Sequence, residues 1–184
     1  EDPYLAGEIA ATYIKGVQSQ NVMACVKHFA ANNQEYARHS VSSDIDVRTL
    51  HEIYFPAFEK AVKEGDVATI MTSYNLLNSV HASESEYLNY TVLRDMWGFD
   101  GIAMSDWTSV YSPLNAGRYG VDLEMPRPEG MKPEIMIELV QNGVLPVEAI
   151  DRKCQHIIQA IFAYEFDKNE QLDKSLPENN PYCD

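Results

Sequence analysis

Positive charge is scarce in this chain. Lys and Arg together number 14 against 28 Asp and Glu, a formal net charge of −14 over 184 residues. Nucleic acid needs a basic face against its phosphates, and none can be assembled here. The acidic balance reads as a device for solubility. Cysteine is also sparse: Cys25, Cys154 and Cys183 are odd in number and unclustered. They make neither a disulfide framework nor a zinc site, and they suggest reduced thiols. Long apolar runs are missing too, and nothing approaches the ~20 residues that span a bilayer. The spacings of His39, His51, His81 and His156 do not suit a metal, so these histidines read as structural. The chain opens on Glu1 with neither a Met nor a signal-peptide pattern. Cytoplasmic, periplasmic and secreted locations therefore all stay open.

What is present is 45% hydrophobic sequence, enough for one ordinary domain. Leu5, Ile9, Tyr13 and Val17 recur at helical spacing behind Pro3. Val22 to Val26 reads as a buried strand ending in Lys27-His28-Phe29, and residues 30–47 as a long loop. A helical pattern over 48–64 must break at Pro56. Val67 to Met71 is the next strand, followed by Thr72-Ser73-Tyr74-Asn75. Ser83 or Ser85 caps a helix that runs to about Met96 and closes at Gly98. Gly101 to Met104 is a third strand, and Val121 to Pro126 a fourth. Pro133 and Pro146 open two more helices. In the second of these, Ile150, Cys154, Ile157, Ile158, Ile161 and Phe162 form an apolar stripe that reads as core. Residues 166–184 are polar, with two prolines, and read as a linker.

Alternation of this kind predicts an α/β fold with parallel strands and right-handed crossovers. The reactive-looking residues gather at strand C-termini, the polarity of a TIM barrel or of an open doubly wound sheet. No Gly-rich phosphate turn follows any strand, which counts against the open sheet. A full barrel needs about 250 residues, so the expectation is the C-terminal half of a (β/α)8 barrel, about four β/α units.

The third strand stops at Ser105-Asp106-Trp107, a hydroxyl, a carboxylate and a large aromatic side by side. A carboxylate at a strand mouth can attack a sugar carbon, and an indole face can cover a sugar ring. Together with Lys27-His28-Phe29, Met71-Thr72-Ser73-Tyr74-Asn75 and Asp122-Leu123-Glu124-Met125-Pro126, this tripeptide resembles glycoside hydrolase family 3, in particular its β-glucosidases. Glu1-Asp2-Pro3-Tyr4-Leu5 and Asn32-Asn33-Gln34-Glu35 through Arg38-His39 add to the resemblance, which runs to about residue 168.

The resemblance implies a retaining hydrolase of terminal β-linked glucose, working without metal or cofactor on a β-glucoside or oligosaccharide. Asp106 matches its nucleophile. Lys27, His28, Arg38, Tyr74 and Trp107 match residues that hold the sugar. Residues 1–165 would be the second half of the family's N-terminal barrel, and 166–184 a linker toward a C-terminal α/β sandwich. The general acid/base would then lie beyond residue 184 and part of the sugar site before residue 1, since Glu35, Glu124 and Glu129 do not match the acid's position. The isolated chain would be inactive. Three other readings stay open. One is a noncatalytic sugar-binding or assembly module, and one a β-xylosidase of the same family, a branch that tends to lack Trp after the nucleophile. The last is an aldolase-like barrel with Lys27 as a Schiff-base amine.

Overall fold

The computed structural model describes residues 2–168. Helix α1 (Pro3–Gln18) starts where Asp2 Oδ1 accepts the Leu5 N–H at 3.0 Å, with Pro3 in the first turn. Strand β1 is Cys25–Phe29, and a two-residue strand β2 (Ser42–Ser43) follows. Helix α2 (Val47–Thr49) widens into π-turns over Leu50–Tyr54, and α3 (Pro56–Lys63) restarts at the proline, as its missing N–H requires. Strand β3 (Thr69–Thr72) leads to a hairpin of β4 (Leu76–Leu77) and β5 (Val80–His81). A π-helical segment, Tyr87–Met96, ends at Gly98, whose φ of 72° is the left-handed value that suits glycine. The Ser85 hydroxyl takes the Leu88 N–H at its start. Strand β6 (Ile102–Met104) and helices α4 (Pro113–Tyr119), α5 (Pro133–Gln141) and α6 (Val147–Ala163) complete the chain.

The main sheet has the order β1-β3-β6 and is parallel throughout, with Cys25 opposite Thr69 and Thr69 opposite Ile102. Parallel strands need crossovers, and here α3 and the Tyr87–Met96 segment supply them. The smaller sheet, β2-β4-β5, stands beside the exit of the larger one. Phe29 fills the centre of the core, ringed by Phe55, Phe58 and Trp97 at centroid distances of 5.8, 5.1 and 5.6 Å. Each such buried side chain contributes roughly 1.5–3 kcal/mol relative to exposure. No helix among the described residues is long and apolar enough to cross a membrane.

The structure corrects the sequence reading at several points. The first strand is Cys25–Phe29, not Val22–Val26, so Lys27 and His28 lie inside it; Val22 is exposed. The segment 30–47 is not all loop, because β2 lies in it. The fourth strand reduces to a single parallel bridge, Leu123 against Met104, with a cis peptide bond before Pro126. The apolar stripe of α6 is not core: its buried positions are Ala149, Lys153 and Ala160, while Phe162 is 61% exposed. Likewise α1 buries Gly7, Ala11 and Ile14 and leaves Ile9 60% exposed. Gly7 and Ala11 allow α1 to approach α3 closely, Ile14 packs into the core, and Tyr4, Leu5, Ile9 and Tyr13 face away. Most of the segment expected as a linker, from residue 169, lies outside the described residues.

Candidate active site

Three hydroxyls pin the C-terminal ends of the parallel strands together. Thr72 Oγ1 donates to the Met104 carbonyl at 3.3 Å, joining β3 to β6. Ser73 Oγ donates to the Ala30 carbonyl at 2.9 Å, joining β3 to the end of β1. Ser105 Oγ accepts the Met125 N–H at 2.9 Å, tying β6 to the bridge segment. All three are fully or almost fully buried, where an unpaired hydroxyl would be costly. They explain why serine and threonine interrupt otherwise apolar strand ends, and they fix the platform on which the next residues stand.

Asp106 stands on that platform, two residues past β6. Its side chain is 13% exposed, with Oδ2 3.2 Å from His28 Nε2 and Oδ1 accepting the Trp107 N–H at 2.7 Å. Burial pushes His28 below its ordinary imidazole value, against the opposing pull of Asp106. At neutral pH the contact is therefore between a neutral ring and a carboxylate, not an ion pair. Tyr74, two residues past β3, has its phenol raised first by burial and then by the Asp106 carboxylate beside it. The phenol stays protonated and can donate to that carboxylate. The platform thus brings together Asp106, His28 and Tyr74 from three adjacent strands.

Arg38 arrives from the loop after β1, its guanidinium 4.1 Å above the Tyr74 ring and paired with Glu35 at 2.6 Å. Asp44 and Asp46, on the same loop, are occupied otherwise: Asp44 accepts from Ser42 and Asp46 caps α2. Lys27 is exposed, and among the described residues it makes no hydrogen bond or ion pair. Trp107 is 61% exposed, with its indole uncovered next to Asp106. Two residues that the sequence reading left as structural, His39 and His81, also stand here. His39 packs 4.4 Å from the Tyr74 ring, and His81 stacks on Tyr111 at 3.6 Å. The position of His39 directly after Arg38 was the only sequence signal that pointed to it.

The other acids near the strand ends are saturated. Asp122 accepts from Arg94 at 2.7 Å, from the Ala103 N–H at 2.8 Å, and faces His156 Nδ1 at 2.8 Å. Glu124 takes the backbone N–H groups of Glu129, Gly130 and Met131 at 3.0, 3.0 and 2.6 Å. Lys153 donates to the carbonyls of Gly120 and Val121, both at 2.9 Å, and burial lowers it to about 8. These groups hold the frame.

A sequence profile of the Glycosyl hydrolase family 3 N terminal domain matches residues 1–160. The chain belongs to glycosyl hydrolase family 3. Thermostable beta-glucosidase B of Acetivibrio thermocellus is 47% identical over 176 residues, which is 95% of this chain and 23% of that protein. An exo-alpha-(1->6)-L-arabinopyranosidase of Bifidobacterium longum is 46% identical over 161 residues, 88% of this chain and 21% of that protein. Among solved structures, beta-glucosidase 3B from Thermotoga neapolitana in complex with glucose superposes with a TM-score of 0.84 at 39% identity, covering 90% of this chain and 25% of that one. This family 3 chain thus spans about a quarter of the length of the relatives it matches.

Proposed function

We propose that the chain is part of a retaining β-glucosidase, with Asp106 as nucleophile. The observation that carries this reading is the convergence on Asp106 of His28 from β1 and Tyr74 from the end of β3, leaving the carboxylate reachable. An Asp106 oxygen attacks the anomeric carbon of a terminal β-linked glucose. The bond to the leaving oxygen breaks, and that oxygen takes a proton from an acid carried elsewhere in the polypeptide. Water, giving its proton back to that now-deprotonated acid, then attacks the anomeric carbon, breaks its bond to Asp106 and returns Asp106 to its carboxylate. Lys27, its ammonium unpaired among the described residues, donates to sugar hydroxyls together with His28 and Arg38, while Tyr74 holds the carboxylate and Trp107 covers the ring face.

On this reading residues 1–165 form the second half of a (β/α)8 barrel, and 166–184 lead toward a further domain. The parallel order β1-β3-β6 and the bridge at Leu123 fit an arc of such a barrel. The exposed apolar faces of α1 and α6 fit helices that the remaining polypeptide covers. The substrate and that remaining polypeptide are then the partners of this chain, and the chain alone is inactive.

The test is hydrolysis of a panel of aryl glycosides by the full-length protein and its Asp106→Asn variant. Preferred turnover of the β-glucoside, lost in the variant, is the expected result. The arabinopyranosidase relatives match this chain about as well as the glucosidases do, so an α-L-arabinopyranoside belongs in the panel. Preference for it would overturn the glucose assignment while leaving the nucleophile intact.

A further inference from the structure

Tyr111 lies on the loop leading away from Asp106, and its contacts reach Tyr74 from outside the proposed sugar-holding set. Its backbone N–H donates to Glu84 Oε1 at 2.6 Å, and the same oxygen takes the Ser112 N–H at 2.5 Å. Glu84 is only 6% exposed and has no ion-pair partner among the described residues. A buried carboxylate committed to two amides of one loop is an expensive anchor, and it fixes where the Tyr111 ring begins. The ring then stacks on His81, centroids 3.6 Å apart and planes 17° apart, while His81 Nδ1 lies 3.4 Å from the Tyr74 carbonyl oxygen. The Tyr111 hydroxyl lies 2.8 Å from His39 Nδ1, and the His39 ring packs 4.4 Å from the ring of Tyr74. Burial raises the Tyr111 phenol to about 12, so its hydroxyl keeps its proton at neutral pH.

We propose that Tyr111 is a positioning residue: through its hydroxyl and His39 it holds the Tyr74 ring so that the Tyr74 phenol meets Asp106. This rests on the reading of Asp106 as the nucleophile. Tyr74 and Arg38 both leave regular structure before they reach the site, so their orientation depends on side-chain support. The support comes from three directions: Arg38 over the ring, His39 against it, and Tyr111 behind His39. A tyrosine that merely packed would have no use for a hydroxyl placed on a neighbouring imidazole.

The experiment uses the full-length protein with Tyr111→Phe, His39→Ala and the double variant. It measures kcat and KM on a nitrophenyl β-glucoside, active sites titrated with a fluoroglucoside that traps on the nucleophile, and the thermal midpoint. Tyr111→Phe keeps the ring stack and removes only the hydroxyl. Each single change should lower kcat per titrated site about tenfold with KM nearly unchanged, as expected when a reacting pair loses its alignment. The double variant should be no worse than the worse single one, since both act through one contact. Strictly multiplicative losses, or a lower midpoint with normal kcat per titrated site, would mean a structural role and overturn the proposal. Unchanged variants of an active wild type would overturn it too, while leaving Asp106 in place. A wild type that neither hydrolyses nor traps would overturn the nucleophile reading, and Tyr111 with it.

Discussion

Asp106 follows strand β6 and Asp122 lies alongside it, yet their surroundings are opposite. Asp122 is 4% exposed and spends both oxygens on Arg94, His156 and the Ala103 amide. Asp106 takes only the Trp107 N–H on Oδ1 and faces a neutral imidazole at 3.2 Å with Oδ2. It has no cation beside it among the described residues, and is three times as exposed, at 13%. The two lysines repeat the contrast, Lys153 buried against two carbonyls and Lys27 exposed without a partner among the described residues. Sequence alone presents two acids and two lysines with nothing to rank them. The structure sorts them by whether the fold has already used their bonding capacity. A group that must bond to a substrate retains capacity, and a group that holds the frame has none left.

The largest effect expected from this contrast is at Asp106. The Asn variant of the full-length protein should lose at least ~10³-fold in kcat, because the amide keeps the shape and is a poor nucleophile. Its thermal midpoint should barely move, since the contacts it alters are few. Equal losses of activity and of stability would collapse the distinction between the two acids.

The reverse profile is expected at Asp122. Asp122→Ala strands Arg94, whose side chain is 13% exposed, and should cost about 3–5 kcal/mol of stability, the usual penalty for removing one partner of a buried pair. Chemical denaturation of the domain measures it. A loss below 1 kcal/mol would show that the network is not holding β6.

Lys27→Ala sharpens the lysine half of the comparison. It should cost roughly 10²-fold in kcat/KM by removing a charged donor to the sugar, with the midpoint unchanged. An unaltered kcat/KM would leave Lys27 as an ordinary exposed lysine of β1.

The smallest effect concerns Lys153 and pH. Its folded value of about 8 lies below the roughly 10.4 of a free lysine, so between these limits the unfolded chain binds the extra proton. Stability from this group therefore rises as pH climbs from about 8 toward 10.5. Thermal midpoints across that window should show the rise in the wild type and a flatter profile in Lys153→Met.

Much of this was legible before any coordinates. The order of the three main-sheet strands and the helical crossovers between them, the restart at Pro56, the stop at Gly98 and the exit of a strand at Asp106 all follow from local chemistry. What was not legible depends on tertiary packing. The stripes of α1 and α6 carry a helical period, but a period does not say which face turns inward, and here that face carries Gly7, Ala11 and Ile14 in α1 and Ala149, Lys153 and Ala160 in α6. The β4–β5 hairpin did leave a signal: Asn78 and Ser79 both have positive φ, as a tight two-residue turn requires. The start of α4 was equally marked, by Ser112 capping ahead of Pro113. Tyr111 left no sequence signal, because its importance comes from Glu84, His81 and His39, which lie distant in the chain.

The most direct test of the contrast between the two acids is covalent labelling. The full-length protein is incubated with a 2-deoxy-2-fluoro-β-glucoside carrying an activated leaving group, digested, and the modified peptide sequenced by mass spectrometry. The sugar should be found on Asp106, with Asp122 and Glu124 unmodified. A label on Glu35, Glu124 or any other carboxylate, with Asp106 bare, would contradict the account.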